Sequence, residues 1–203
     1  MIYTIIAEPR SGGVSLMNWI EKSLPEFTIA QEPWFIENTL WVEGEDVNNV
    51  EWIKKYENIF IREIYKSERD FEKLIEISDK VICLHRKNWK EQIRSNLFQG
   101  SNENIKTYQE SYEEEDVLNF VDDEYVMTYY TKHFKNEKDC FKEFIRKNKF
   151  TSISYEDLYY GTQINVLKKH FNFDSDVVFP LNTRHLKRNG VPVVPEKLKN
   201  NLI

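Results

Sequence analysis

The sequence predicts a three-layer α/β sandwich around a central parallel sheet, with a helical insertion. Three observations predict it. Short apolar runs with strand character alternate with segments whose apolar residues recur at helical spacing, the pattern of strands joined by crossover helices. The first run ends in a loop holding two of the six glycines and passes directly into a helical segment. With 203 residues, 40% hydrophobic and 14% aromatic, the chain is long enough to bury one sizeable core, so a single domain over 1–203 is expected.

Ile2 to Ala7 reads as the first strand, stopping before Pro9. From Gly13 to Leu24, Leu16, Met17, Ile20 and Leu24 share one helical face. Phe27 to Ala30 suits a second short strand and Asn58 to Ile64 a third, followed by a helix with Phe71, Leu74 and Ile75 inward. Lys80 to His85 is the fourth, with a helix running on through Leu97. Residues 100–148 change character. The acidic run Glu113 to Asp116 precedes a helical pattern through Val117, Val121, Tyr125 and Tyr129, then Cys140, Phe141, Phe144 and Ile145, which reads as a helical insertion or lid. Phe150 to Ser154 is the last strand, and Gln163 to Phe171 a helix carrying Val166, Leu167 and Phe171 inward. The tail, 180–203, is polar and basic around Arg184, Lys187 and Arg188.

Charged residues make up 31% of the chain and the formal net charge is -6. That field disfavours a nucleic-acid polymer or an anionic membrane surface as partner, while a local Arg and Lys cluster can still hold a small anion. There is no run of ~20 apolar residues and no basic, apolar leader at the N-terminus, so a cytoplasmic protein is expected. The two cysteines, Cys83 and Cys140, lie far apart with no second pair at metal-ligand spacing. Neither a disulfide framework nor a metal site is expected of them. Alanine occurs only twice, while Asn and Lys are frequent, as in an AT-rich coding genome such as that of a bacteriophage.

The loop Glu8-Pro9-Arg10-Ser11-Gly12-Gly13-Val14-Ser15-Leu16 stands where α/β proteins hold phosphate against backbone N–H groups at a positive helix end. Glycine permits positive φ and close approach of an oxyanion, and Arg10 adds a permanent charge with a planar donor fork. The same residues also suit an ordinary strand-to-helix turn. The Gly-Lys-Ser/Thr of nucleoside triphosphatases, whose lysine reaches the β and γ phosphates and whose hydroxyl holds magnesium, is absent from this loop.

Pro9-Arg10-Ser11-Gly12 with Leu16 resembles the loop of the sulfotransferases that use 3′-phosphoadenosine 5′-phosphosulfate (PAPS). Gly13 and Val14 depart from the family, which has Ser or Thr there; backbone N–H groups and Ser15 are the expected substitutes. Glu32-Pro33-Trp34-Phe35 is similar to the Glu-Pro-aromatic element of the carbohydrate and trehalose sulfotransferase-like branch, and the resemblance makes Glu32 the catalytic base. Pro33 is expected to restrict Glu32 to extended backbone angles. Arg62-Glu63, a basic residue followed by an acid at the third strand, is a weaker match. Val81 to Asn88, with Arg86 at the strand end and Ser95 nine residues on, resembles the 3′-phosphate element. Were that interval all helical, the pair would be ~13 Å apart, so a turn near Lys87 to Trp89 is required. Tyr155-Glu156-Asp157-Leu158 resembles a segment common in the family and reads as mainly structural, with a polar side chain capping the next helix. Leu186-Lys187-Arg188-Asn189-Gly190 is similar to the tail that closes over the 3′-phosphate in some members.

The resemblance implies a P-loop nucleoside triphosphate hydrolase-like fold and sulfuryl transfer from PAPS to a hydroxyl acceptor such as a carbohydrate, leaving adenosine 3′,5′-bisphosphate (PAP). Donor binding is assigned to Arg10, Ser11, Gly12, Gly13, Val14, Ser15, Arg86, Ser95, Lys187 and Arg188, and catalysis to Glu32, Arg10 and His85. His85 is a second candidate base, because its ordinary pKa makes it a ready proton carrier; it equally suits a core position. Trp34, Phe35, Trp41 and Trp89 are placed to stack on adenine or sugar, or to fill the core. Two alternatives stay open: a nucleotide-binding protein on the same fold with altered catalysis, and a P-loop small-molecule kinase.

Overall fold

The computed structural model describes residues 1–32, 50–90, 92–93, 127–159 and 163–179, with the backbone alone at 187–188 and 191–192. Its five-stranded sheet contains β1 Ile2–Ala7, β2 Thr28–Gln31, β3 Ile59–Ile64, β4 Lys80–His85 and β5 Thr151–Ser154. They run parallel in the order β2-β3-β1-β4-β5. Parallel strands need crossovers that cover both faces, which is why β1, β3 and β4 are apolar on both sides.

Alternation along each strand divides the core in two. Tyr3, Ile5, Ala7, Phe60, Ile64, Ile82 and Leu84 face α1 Gly13–Ser23, α4 Tyr155–Tyr159 and α5 Ile164–Phe171. Ile6, Ile59, Ile61, Val81 and Cys83 face the other layer, formed by a 3-10 turn at Ile53–Lys55, α2 Glu72–Ile77 and α3 Lys135–Asn148. Right-handed crossovers produce this split: the α1 connection moves along the sheet from β1 to β2, while the later connections move the opposite way. The carboxyl ends of β1 and β4 therefore flank a topological switch point, the crevice where open α/β sheets take ligands.

The first, third and fourth strands and α1 fall where the periodicity puts them, within a residue. Two expectations need correcting. Val166 of α5, expected inward, is exposed, while Leu167 and Phe171 are buried. Glu32 has φ 52°, in the left-handed region, instead of the extended angles expected before Pro33. Its N–H donates to the Arg62 carbonyl at 2.6 Å, so pairing with β3 overrides the local preference. The expected helical insertion or lid, 100–148, is described only in part. Its first part, 100–126, lies outside the described residues; from Met127 the chain is helical and leads into α3. Phe141 of α3 is fully buried, its ring 4.7 Å from that of Tyr65, so this half of the segment is a wall of the core.

Lys187–Arg188 pairs antiparallel with Val191–Pro192 in a small hairpin of the tail backbone. Cys83 is buried, Cys140 is partly exposed, and both are free thiols. No helix among the described residues is long and apolar enough to cross a membrane.

Candidate functional site

The loop after β1 is tied down by its own backbone. Ser11 is buried, and its hydroxyl donates to the Glu8 carbonyl at 2.6 Å, so its side chain closes the turn. Arg10 at φ 59° and Gly12 at φ 79° both take left-handed angles, which reverse the chain into α1. Gly12 is the position that requires glycine: a Cβ there would fall 2.5 Å from the Tyr155 ring and 2.7 Å from the Tyr159 ring. The Tyr159 hydroxyl, its pKa raised well above the ordinary value by burial, stays protonated and donates to the Gly12 carbonyl at 3.1 Å. No side chain among the described residues caps the N-terminus of α1, and its first turn holds no acidic residue. The first N–H groups of the helix thus carry the partial positive charge that favours an anion. Val14 is exposed and Ser15 half-buried in that turn.

Charged side chains line up beside this helix end along the carboxyl edge of the sheet. Glu32 follows β2, Arg62 lies on β3, Arg10 follows β1 and Arg86 follows β4, in the spatial order of the strands. Arg62 is 3% exposed and points to the α1 side, where a Cβ on Gly13 would fall 2.5 Å from its Cδ. Its Nη2 pairs with Glu32 Oε1, while its buried Nε has no hydrogen-bond partner among the described residues. Sequence reasoning set Arg62 aside as a weak match. The signal that marks it is an arginine inside an otherwise apolar central strand, where a buried charge needs a partner. Burial lowers the Arg10 pKa, and the positive charges of Arg86 and Arg62 lower it further, against an opposing effect of Glu32. The site thus concentrates positive charge that an anion would relieve.

Arg86 ties the loop to β4. Its Nη1 donates to the Arg10 carbonyl at 3.2 Å and its guanidinium lies 4.6 Å from the centre of the Tyr155 ring. Its Nε is buried without a hydrogen-bond partner among the described residues, with Glu156 Oε1 at 4.0 Å. Glu156 accepts from the N–H groups of Lys87 and Asn88, at 2.9 and 2.8 Å, and so forms the turn required after β4. Ser154 caps α4 by accepting from the Asp157 N–H at 3.0 Å, the structural role expected of this segment.

A buried web behind the loop was not legible in the sequence. Lys138 of α3 donates to Glu8 Oε2 at 2.7 Å, to Gln92 Oε1 at 2.9 Å and to the Arg86 carbonyl at 2.9 Å. Gln92 in turn donates to the Pro9 carbonyl at 2.7 Å. These bonds fix the two loops carrying Arg10 and Arg86 against each other.

His85 belongs to this web's side of the sheet. Burial lowers its pKa and Lys138 lowers it further, with Glu8 opposing, and its Nδ1 is buried without a hydrogen-bond partner among the described residues. Two strands separate β2 from β4, which puts His85 and Glu32 roughly 14 Å apart across the sheet at the usual ~4.8 Å spacing. The structure therefore brings together Glu32, Arg10, Arg86 and residues 11–15, and leaves His85 apart from Glu32. Ser95, the aromatics Trp34, Phe35 and Trp41, and the side chains of Lys187 and Arg188 lie outside the described residues. Trp89 stacks on Tyr130 with ring centres 4.3 Å apart. Among the described residues no group of three His, Cys, Asp or Glu is placed to hold a metal ion. No protein-family model matches the chain, and no curated protein matches it.

Proposed function

We propose that the chain is a PAPS-dependent sulfotransferase on a P-loop-type α/β scaffold, with a carbohydrate hydroxyl as acceptor. One observation carries the reading: Glu32, Arg62, Arg10 and Arg86 line the carboxyl edge of the sheet around an uncapped helix N-terminus at the switch point. The buried Nε atoms of Arg62 and Arg86, without a hydrogen-bond partner among the described residues, fit a ligand with separate anionic groups.

When bound, the donor supplies the sulfuryl group: the acceptor oxygen–sulfur bond forms, the sulfur–oxygen bond to the 5′-phosphate breaks, and its electron pair leaves with PAP. Arg10 and the N–H groups at the start of α1 stabilise the charge that develops on the leaving phosphate. Glu32 accepts the proton of the acceptor hydroxyl. Arg86, stacked on Tyr155, reads the 3′-phosphate through its guanidinium.

The test is a thermal-shift panel with PAP, ATP and AMP, followed by sulfuryl transfer from PAPS to a series of sugars. A ligand at 100 times its Kd adds about 2.7 kcal/mol of stability, so PAP should raise Tm well above AMP at equal concentration. Equal shifts for PAP and AMP would remove the 3′-phosphate assignment, and magnesium-dependent ATP turnover would favour a kinase. A binding-only protein is the second reading, favoured by the Arg62 ion pair that engages Glu32. PAP binding with no transfer to any acceptor would select it.

A further inference from the structure

We infer that Glu32 acts as an internal stand-in for the donor anion: it holds Arg62 through their ion pair and is released as a proton acceptor when an anion at the start of α1 takes Arg62 over. The inference deepens the proposed function and rests on its anion site.

Arg62 and Gly13 fit one another. Glycine at 13 leaves its space to the Arg62 side chain, whose Cδ, Nη1 and Nε would lie 2.5, 2.6 and 3.0 Å from any Cβ there. The guanidinium is thereby laid against the first residue of α1, within reach of the helix end that attracts anions. An arginine that is 96% buried by side chain is costly without a counter-charge, and Glu32, 21% exposed, supplies it through one oxygen. Arg62 nonetheless retains a buried Nε with no acceptor among the described residues. The pair is therefore one acceptor short, and the positive charges of Arg62 and Arg86 both act on Arg10 beside it.

An incoming phosphate or phosphosulfate carries more charge and more acceptor oxygens than one carboxylate oxygen. It can satisfy the Nε and the helix N–H groups together, which Glu32 does not do from the end of β2. Once Arg62 turns to that anion, the Glu32 carboxylate loses its ion-pair partner and both its oxygens are open to the acceptor hydroxyl's proton. The Ser or Thr hydroxyls of related loops, absent at Gly13 and Val14, are replaced by a mobile counter-ion, and proton removal is coupled to donor occupancy.

The test is titration calorimetry of PAP and of inorganic pyrophosphate against the wild type, Glu32→Gln, Arg62→Met, Arg62→Lys and the double variant Glu32→Gln/Arg62→Met. Removing the internal competitor should tighten both anions by about tenfold in Glu32→Gln, and Arg62→Met should weaken both by about tenfold or more. The gain from Glu32→Gln should vanish in the Arg62→Met background. A gain that persists there reports a general field effect and overturns the exchange, as does an unchanged affinity in Glu32→Gln. Arg62→Lys, which keeps the charge and is judged folded by its thermal transition, should bind more weakly than wild type if Arg62→Met does not fold. Pyrophosphate separates the two readings: the pattern with pyrophosphate but no PAP binding supports the exchange and rejects the nucleotide, and binding of neither anion overturns both.

Discussion

Lys138 Nζ lies 2.7 Å from Glu8 Oε2 across 130 residues of sequence, and both side chains are almost wholly buried. The contact joins the helix α3 to the loop that carries Arg10. A buried pair of this kind adds little net stability but is costly to break, because the remaining charge keeps its desolvation penalty.

Lys138→Met should therefore destabilise the protein by about 3–5 kcal/mol. Adding Glu8→Gln, which removes the orphaned charge, should recover part of the loss. Urea unfolding of the two single variants and the double variant measures the coupling; equal losses in Lys138→Met and in the double variant would show that the pair is not the reason.

Gly13→Ser puts a Cβ into the Arg62 side chain. Overpacking of this sort costs about 1–3 kcal/mol. In an Arg62→Ala background the space is open, so the same substitution should cost far less. A denaturant double-mutant cycle reads the difference, and a zero coupling energy would mean that Arg62 yields without strain.

Arg86→Ala should weaken PAP by about 10- to 100-fold, as expected for a hydrogen-bonded charge worth about 1.5–3 kcal/mol, and AMP much less. Arg86→Lys keeps the charge yet loses the fork and the stack on Tyr155, so it should fall between the two. Calorimetric Kd values for both nucleotides decide it, and equal losses would reassign Arg86 to a structural role.

Burial depresses the pKa of His85, so the folded state takes up a proton less readily than the unfolded chain. The associated stability is fully present above the unfolded value of 6.5 and is lost as pH falls from there through the folded pKa. His170 is depressed by burial too and adds in the same direction. Urea midpoints should drop between about pH 7.5 and about pH 5.5, and His85→Gln should flatten that slope relative to wild type. A slope unchanged in both His85→Gln and His170→Gln would place its origin elsewhere.

Glu32→Gln should lower sulfuryl transfer by ~100- to ~10,000-fold, the usual contribution of a general base. His85→Gln, altered on the far side of the sheet, should retain most turnover. Steady-state rates with saturating donor compare the two; a dead His85 variant beside an active Glu32 variant would transfer the role.

The strands, α1 and the loop between them were legible in the sequence because each rests on local chemistry. Ile2 to Ala7 is apolar on both faces, Leu16, Met17 and Ile20 repeat at helical spacing, and Gly12 supplies the left-handed angle that the turn into α1 needs. What only the tertiary structure decided is which distant charges meet. Arg62 faces α1, and Glu63 the opposite layer, because the register of β3 against β1 pairs Arg62 with Ile5 and sets the side of every residue on the strand. Glu32 turns left-handed because the Arg62 carbonyl holds its N–H, a constraint that neither Glu32 nor Pro33 carries alone. Lys138 reads in sequence as one more charge on a polar helix, yet the packing of α3 takes it out of water, where it needs Glu8 and Gln92. Local propensity determines backbone conformation; the pairing of buried charges follows from desolvation, which acts only once the layers have closed.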